Sequence, residues 1–246
     1  IKETGEKLKP FSAGGKLKYY DGQGKEIHQL KVVLPDDTKA EEVLSYNIKA
    51  IGGKEALASV EDMPVILSAS VQGMGMEMKR VVKEGKMLVE VKANGMVMNQ
   101  VKFDGEKAAI NQMGQPQEVD AATVEGLRED AMLFPELAYD KLGKKLTLKG
   151  GEMLEGQQVY VIEVESANGK KQTEYYDIKS GLKVRSQSTE GSKLIQTDYK
   201  DYQEVDGGIL MPFEIVSVGQ APVPLTYKVM DVKVNQGVED AVFRVE

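Results

Sequence analysis

A chain of 246 residues with 41% apolar residues has room for one large packed domain, or for a domain and a fragment of another. Its net charge of −7 disfavours sequence-independent binding to nucleic acid or to an anionic membrane, since both need a basic field. The absence of Cys removes disulfides, thiolate catalysis and Cys-ligated zinc or iron–sulfur sites, while leaving the compartment open.

Along the chain, Leu8 to Tyr20 reads as a short amphipathic piece and a strand ending in Lys18-Tyr19-Tyr20-Asp21. A turn with Gly22 and Gly24 and a strand over Glu26 to Leu34 follow. Two strands cannot bury enough surface to stand alone. Residues 1–37 are therefore expected to be a remnant and linker, closed by Pro35-Asp36-Asp37, with the domain proper spanning 38–246. A start at Ile1 in place of Met leads to the expectation of a processed protein or an excised fragment.

Thr38 and Glu41 form a capping-box pattern ahead of a helix whose Ala40, Val43, Leu44, Ile48 and Ile51 share a face. Gly52-Gly53 end it, and a second short helix runs from Lys54 to Val60. From Pro64 the apolar period becomes two, predicting strands near 65–72, 76–83, 87–94, 96–104 and 107–113. Asn94-Gly95 and Asp104-Gly105 between them are hairpin signals, because a type I′ turn needs positive φ at both central residues. A helical stretch over 121–142, broken at Pro135, interrupts the strands. They resume near 144–150, 157–166, 171–178, 182–189, 192–200, 209–217 and 224–234. Pro212, Pro222 and Pro224 predict edge positions or bulges. The fold class is α+β, mainly antiparallel β: a curved meander sheet forming an incomplete barrel covered by short helices. The longest apolar run, Met63 to Val71, is too short to span a bilayer, and no segment reads as a transmembrane helix or a signal peptide.

Catalytic motifs are not found. His28 is the only histidine, so a His-x-x-Glu-His zinc site cannot form within the chain, and no Gly-x-Ser-x-Gly elbow exists. Gly-Lys recurs at 53–54, 85–86, 143–144 and 169–170, but never before Ser or Thr, so these are turns and not phosphate loops. The expectation is a non-enzyme with no metal and no cofactor.

The residues with a candidate binding role are methionines. Met74, Met76 and Met78 alternate along one strand, and Met96 and Met98 along the next but one. Alternation puts side chains on one face of a strand, and flexible thioethers suit an ill-defined apolar partner as well as a core. One reading packs them under the 38–51 helix. The other has them line a cleft, with Phe134, that is open to a lipid, an acyl chain or an apolar peptide.

A family resemblance rests on five segments. Tyr46-x-x-Lys49-Ala50-Ile51-Gly52-Gly53-Lys54-Glu55-Ala56-Leu57 resembles the first helix of bacterial envelope proteins with the lipoprotein-carrier (LolA/LolB-like) fold. Tyr175-Tyr176-Asp177-x-x-Ser180-Gly181-Leu182-Lys183-Val184 and Asp201-Tyr202-x-Glu204-Val205-Asp206-Gly207-Gly208-Ile209-Leu210-Met211-Pro212-Phe213 are similar to hairpins of the same group. With Leu133-Phe134-Pro135-Glu136-Leu137, they resemble more particularly the C-terminal region of insulinase/pitrilysin-type zinc peptidases of Bacteroidetes-like bacteria. Glu6-Lys7-Leu8-Lys9-Pro10-Phe11, leading to Lys18-Tyr19-Tyr20-Asp21, resembles the last strand of the inactive half of such peptidases.

The resemblance implies an unclosed barrel around a hydrophobic cavity, in a periplasmic or outer-membrane-associated protein, with peptidase domains upstream in cis and no catalytic residue in this chain. The implied function is a non-catalytic, peptidase-associated envelope domain with an apolar concave face. Two alternatives stand beside it: a stand-alone periplasmic lipoprotein or lipid carrier, and a structural docking domain with a filled core.

Overall fold

A computed structural model of the chain describes residues 15–20, 26–32, 38–71 and 73–245. β1 (Gly15–Tyr20) and β2 (Glu26–Val32) pair antiparallel with each other, His28 opposite Tyr19, in a two-stranded sheet of their own. The amphipathic piece from Leu8, the Gly22–Gly24 turn and the Pro35-Asp36-Asp37 linker lie outside the described residues.

α1 (Ala40–Ala50) starts one residue later than Thr38 predicts. Lys39 is its N-cap, and Glu42, not Glu41, accepts the Lys39 backbone N–H at 3.0 Å. The reach-back half of a capping pair therefore holds the first turn. Its end matches the sequence: the Gly53 N–H bonds the Ile48 carbonyl at 2.8 Å, with both glycines at positive φ. α2 is Lys54–Ala58.

The strands follow as β3 (Asp62–Val71), β4 (Met74–Lys83), β5 (Lys86–Ala93), β6 (Met96–Phe103), β7 (Ala108–Gln112) and β8 (Gln115–Gln117). After α3 (Ala121–Asp130) and a 3-10 turn (Pro135–Ala138) come β9 (Lys145–Leu154), β10 (Gln157–Glu165), β11 (Lys171–Asp177) and β12 (Lys183–Glu190). β13 (Lys193–Val205), β14 (Ile209–Val218) and β15 (Leu225–Val232) complete the sheet. Glu84-Gly85 and Asn94-Gly95 turn with both residues at positive φ, so the I′ geometry sets the register of the β4–β5 and β5–β6 hairpins. Asp104-Gly105 turns otherwise: the Asp104 carboxylate accepts the N–H groups of Glu106 and Lys107, and only Gly105 has positive φ.

Thirteen antiparallel strands form one sheet in the order β8-β7-β6-β5-β4-β3-β15-β14-β13-β12-β11-β10-β9. The sheet is not closed, since its edges β8 and β9 do not pair. It also departs from a single meander. The last strand, β15, pairs with the first, β3, so two meander arms meet at the centre and the edges lie in mid-sequence. Residues 118–144 must then cross from one edge to the other, carrying α3 and the 3-10 turn over one face. Pro212 sits on an interior strand, against the edge expectation. It is in register with Tyr202 of β13, while β14 pairs with β15 only over Glu214 to Ser217, so Pro212 lies beyond the β15 ladder and that side of the strand is free of a partner there among the described residues.

Two apolar clusters seat the helices on that face. Val43 and Leu44 of α1 pack with Tyr139, Ile162, Val164 and Tyr176 over β10 and β11. Val124, Leu127 and Ala131, on and just after α3, pack with Val82, Met87 and Phe103 of β4–β6. The expectation that α1 covers the methionine strands is thus corrected: α3 does so. The other face is closed near β4–β5 by the C-terminal residues, where Phe243 packs on Val81 and Leu88. The buried Asp62 carboxylate fixes this strap, accepting the N–H groups of Gln236, Gly237 and Val238 at 2.8, 2.8 and 3.1 Å.

Candidate ligand cleft

Between the sheet and the 131–139 crossing lies an open cleft of about 480 Å³. β4 and β12, five strand spacings apart in the sheet order, both reach it, as a curled sheet allows. One wall is apolar: Met63, Leu133, Phe134, Leu210, Met211 and Ile215. Alternation explains the sheet's share of it, because Met211, Phe213 and Ile215 take one face of β14. They pack with Met63, Val65 and Leu67 of β3.

The floor is charged. Glu174 on β11 is 1% exposed and accepts four hydrogen bonds, from Tyr176 Oη at 2.6 Å, Tyr139 Oη at 2.9 Å, Lys183 Nζ at 2.9 Å and Gln172 Nε2 at 3.0 Å. Lys183 of β12 also pairs with Glu136 of the 3-10 turn, so one ammonium ties the crossing to the sheet. Burial would push the Glu174 carboxyl up, but the Lys183 charge and the phenol and ammonium hydrogen bonds outweigh it and hold the group below the usual range. Burial would likewise depress Lys183; Glu136 and Glu174 outweigh it and hold the ammonium well above the ordinary lysine value. Burial pushes the Tyr139 and Tyr176 phenols well up, so both stay protonated donors. The arrangement holds charge in place, with both carboxylates tied to the one Lys183 ammonium.

On the opposite side Arg80 of β4 donates to the Asp130 carbonyl at 2.7 Å. Burial lowers its pKa, partly offset by the Asp130 charge. Around the rim of the floor, Tyr46 Oη donates to the Lys179 carbonyl at 2.6 Å, and buried Asn47 donates to the Gly181 carbonyl at 2.8 Å. Gly181 has φ of +74°, and a Cβ there would stand 2.9 Å from the Tyr46 ring, so only glycine fits.

Of the residues singled out from sequence, Phe134 lines the cleft. Met78 packs beside it with Leu133 and Met211. Met76 and Met98 are half-buried, the latter unpaired at a bulge in the β5–β6 register, while Met74 and Met96 are exposed. Sequence reasoning missed Glu174, Lys183, Glu136 and Arg80. A signal existed for the first three: Gln172, Glu174 and Tyr176 alternate on one strand, and Lys183 and Glu136 lie inside segments that carried the resemblance. No group of three or more metal-ligating side chains occurs among the described residues, and no helix among them is long and apolar enough to cross a membrane.

An unclosed antiparallel sheet with short helices laid on one face, over a partly apolar cleft, defines a class of fold. It is the LolA-like fold. The chain is similar to a LolA superfamily protein from Nitrosomonas europaea, at 12% identity and TM-score 0.57, over 85% of this chain and 98% of that one. It is equally similar to a DUF1329 family protein from Desulfovibrio piger, at 12% identity and TM-score 0.56, over 83% and 97%. A domain from Vibrio parahaemolyticus assigned to outer membrane lipoprotein sorting matches at 14% identity and TM-score 0.56, over 83% and 97%. No protein-family model matches the sequence. No curated protein matches it either.

Proposed function

We propose that this chain is a non-catalytic envelope domain that holds an apolar chain (a lipid, an acyl group or an apolar peptide) against the concave face of its sheet. The apolar wall of the cleft carries this reading: Leu133 and Phe134 of the crossing line it together with Met63, Met211 and Ile215 of the sheet. The methionine series Met74, Met76, Met78, Met96 and Met98 is the outer part of the proposed lining, continuing from the cleft margin at Met78. A periplasmic or outer-membrane-associated setting is part of the proposal, supported by the lipoprotein-sorting description of one fold neighbour.

The finer proposal makes this domain, residues 38–246, the C-terminal part of an insulinase-type zinc peptidase, with 1–37 as the end of the preceding domain. The separate β1–β2 sheet supports that division. The complete reading frame tests it: a His-x-x-Glu-His motif upstream is expected, and its absence would leave a stand-alone carrier. A structural docking role is favoured by one observation, the paired charge that fills the cleft floor.

Titration with a fluorescent fatty acid separates binding from docking. Micromolar binding is expected, with Phe134→Ala and Met211→Asp each weakening it about tenfold through lost apolar contact while circular dichroism keeps the strand signal. Wild-type protein that binds no such probe would remove the binding reading.

A further inference from the structure

The connections at the two ends of the sheet differ in chemistry. Antiparallel register puts the β3–β4, β5–β6, β7–β8, β10–β11, β12–β13 and β14–β15 connections at one end, and the sheet order makes these six hairpins neighbours. All but β10–β11, whose turn ends in Lys170, expose a large apolar side chain at or beside the turn: Met74, Met96, Met113, Leu194 and Val223. Met96 and Met113 are both 65% exposed. Residues 70–76, 93–99, 111–117 and 217–226, which make four of these connections, contain no charged residue in a chain that is 29% charged overall. Every connection at the opposite end carries a carboxylate: Glu84, Asp104, Glu155, Asp177 and Asp206.

Adjacent hairpins stand two strand spacings, roughly 10 Å, apart. The exposed side chains are thus separate points, divided by Gly, Asn and Gln turns, where a stable protein interface needs a contiguous packed core. A fluid bilayer interface accommodates each point on its own. Charge at this end is confined to two hairpins, with Glu190 and Lys193 beside Leu194 and Lys170 in the β10–β11 turn. The four charge-free tips can approach lipid despite the acidity of the whole, and the absence of Lys and Arg from them leaves apolar insertion as the source of affinity. The geometry points to a zwitterionic lipid surface as the partner of this end, docked through the five apolar tips. The same end opens onto the concave face: Met74, Met76, Met78 and Arg80 alternate along β4, from an exposed tip to the cleft. This surface goes beyond the cleft reading and does not depend on what the cleft holds.

Flotation of the full chain with phosphatidylcholine vesicles tests it. The wild type is expected to float with them, and added phosphatidylglycerol to give no gain. Combining Met74→Glu, Met96→Glu and Leu194→Glu should cut the bound fraction at least about tenfold, whereas Glu106→Gln at the other end should leave it unchanged. Thermal melting checks that the triple variant folds, and fatty-acid titration of the same variant reports the cleft separately. Unchanged fatty-acid binding with lost flotation is the expected pattern. The proposal is overturned if the wild type does not float with phosphatidylcholine, if it floats only with phosphatidylglycerol, or if the triple variant floats as the wild type does. It is also overturned if the tips instead mediate self-association, seen as a sedimenting dimer that the triple variant abolishes without any vesicle binding.

Discussion

The two arms of the sheet are roofed by different chemistry. Over β10–β12 the covering elements are held by both apolar packing and buried polar bonds: Glu174, Lys183, Glu136 and two phenols under the crossing, and Asn47 and Tyr46 on the β11–β12 turn. Over β4–β6 the cover is Val124, Leu127 and Ala131 on Val82, Met87 and Phe103, with Arg80 and Arg128 bonding only the backbone carbonyls of Asp130 and Gly105. Apolar packing is non-directional and insensitive to pH, whereas a buried ion pair is directional and fails badly when one partner is lost. The first arm is therefore expected to fix where the crossing sits, and the second to supply stability that tolerates repacking.

The largest expected effect breaks the polar arm. Lys183→Met leaves Glu136 and Glu174 without their cation and should destabilise the fold by about 3–5 kcal/mol in urea unfolding at neutral pH. Its pH dependence should also reverse. In the wild type the Glu174 pKa is lowered by folding, so its contribution is full above the ordinary carboxylate pKa of about 4.3 and is lost as pH falls through the lower folded value. Without Lys183, burial raises that pKa, and the variant should gain stability on acidification. A variant with the wild-type pH profile would show that the ion pair does not hold the carboxylate.

Phe103→Ala in the apolar arm is fully buried and should cost about 3–4 kcal/mol, with no change in the pH profile. Acid sensitivity appearing in that variant would mean the two arms are coupled through the crossing. Smaller again is Asn47→Ala, which removes one buried hydrogen bond to the Gly181 carbonyl and should cost about 1–2 kcal/mol. Its loss should loosen the α1 contact first, read as faster amide exchange at Gly53 and Leu182 than at Val82. Uniform acceleration would instead make the sheet one cooperative unit.

Much of the candidate site was hidden for an identifiable reason. Phe134 could be named because it lies in the Leu133–Leu137 segment that carries the family resemblance. Glu174 could not, because a carboxylate in an alternating strand reads as a solvated face until Tyr139 of the crossing and Lys183 of β12 are brought to it beside Tyr176 of its own strand. Met74, Met76 and Met78 could be put on one face of β4 by their period alone, yet period says nothing about how far along that face the cover extends, nor of the bulge that interrupts the alternation of Met96 and Met98 on β6.

The sequence by itself determined the local geometry: Gly52-Gly53 ending α1, Glu84-Gly85 and Asn94-Gly95 turning as I′ hairpins, and the class of mainly antiparallel sheet with short helices. These depend on φ preferences and on a period of two, which act between near neighbours. Only the tertiary structure decided that β15 pairs with β3, that α3 and not α1 covers the methionine strands, and that five apolar tips gather at one end. Each of these joins residues far apart in the chain, where the matching of buried faces selects the register and no local preference reports it.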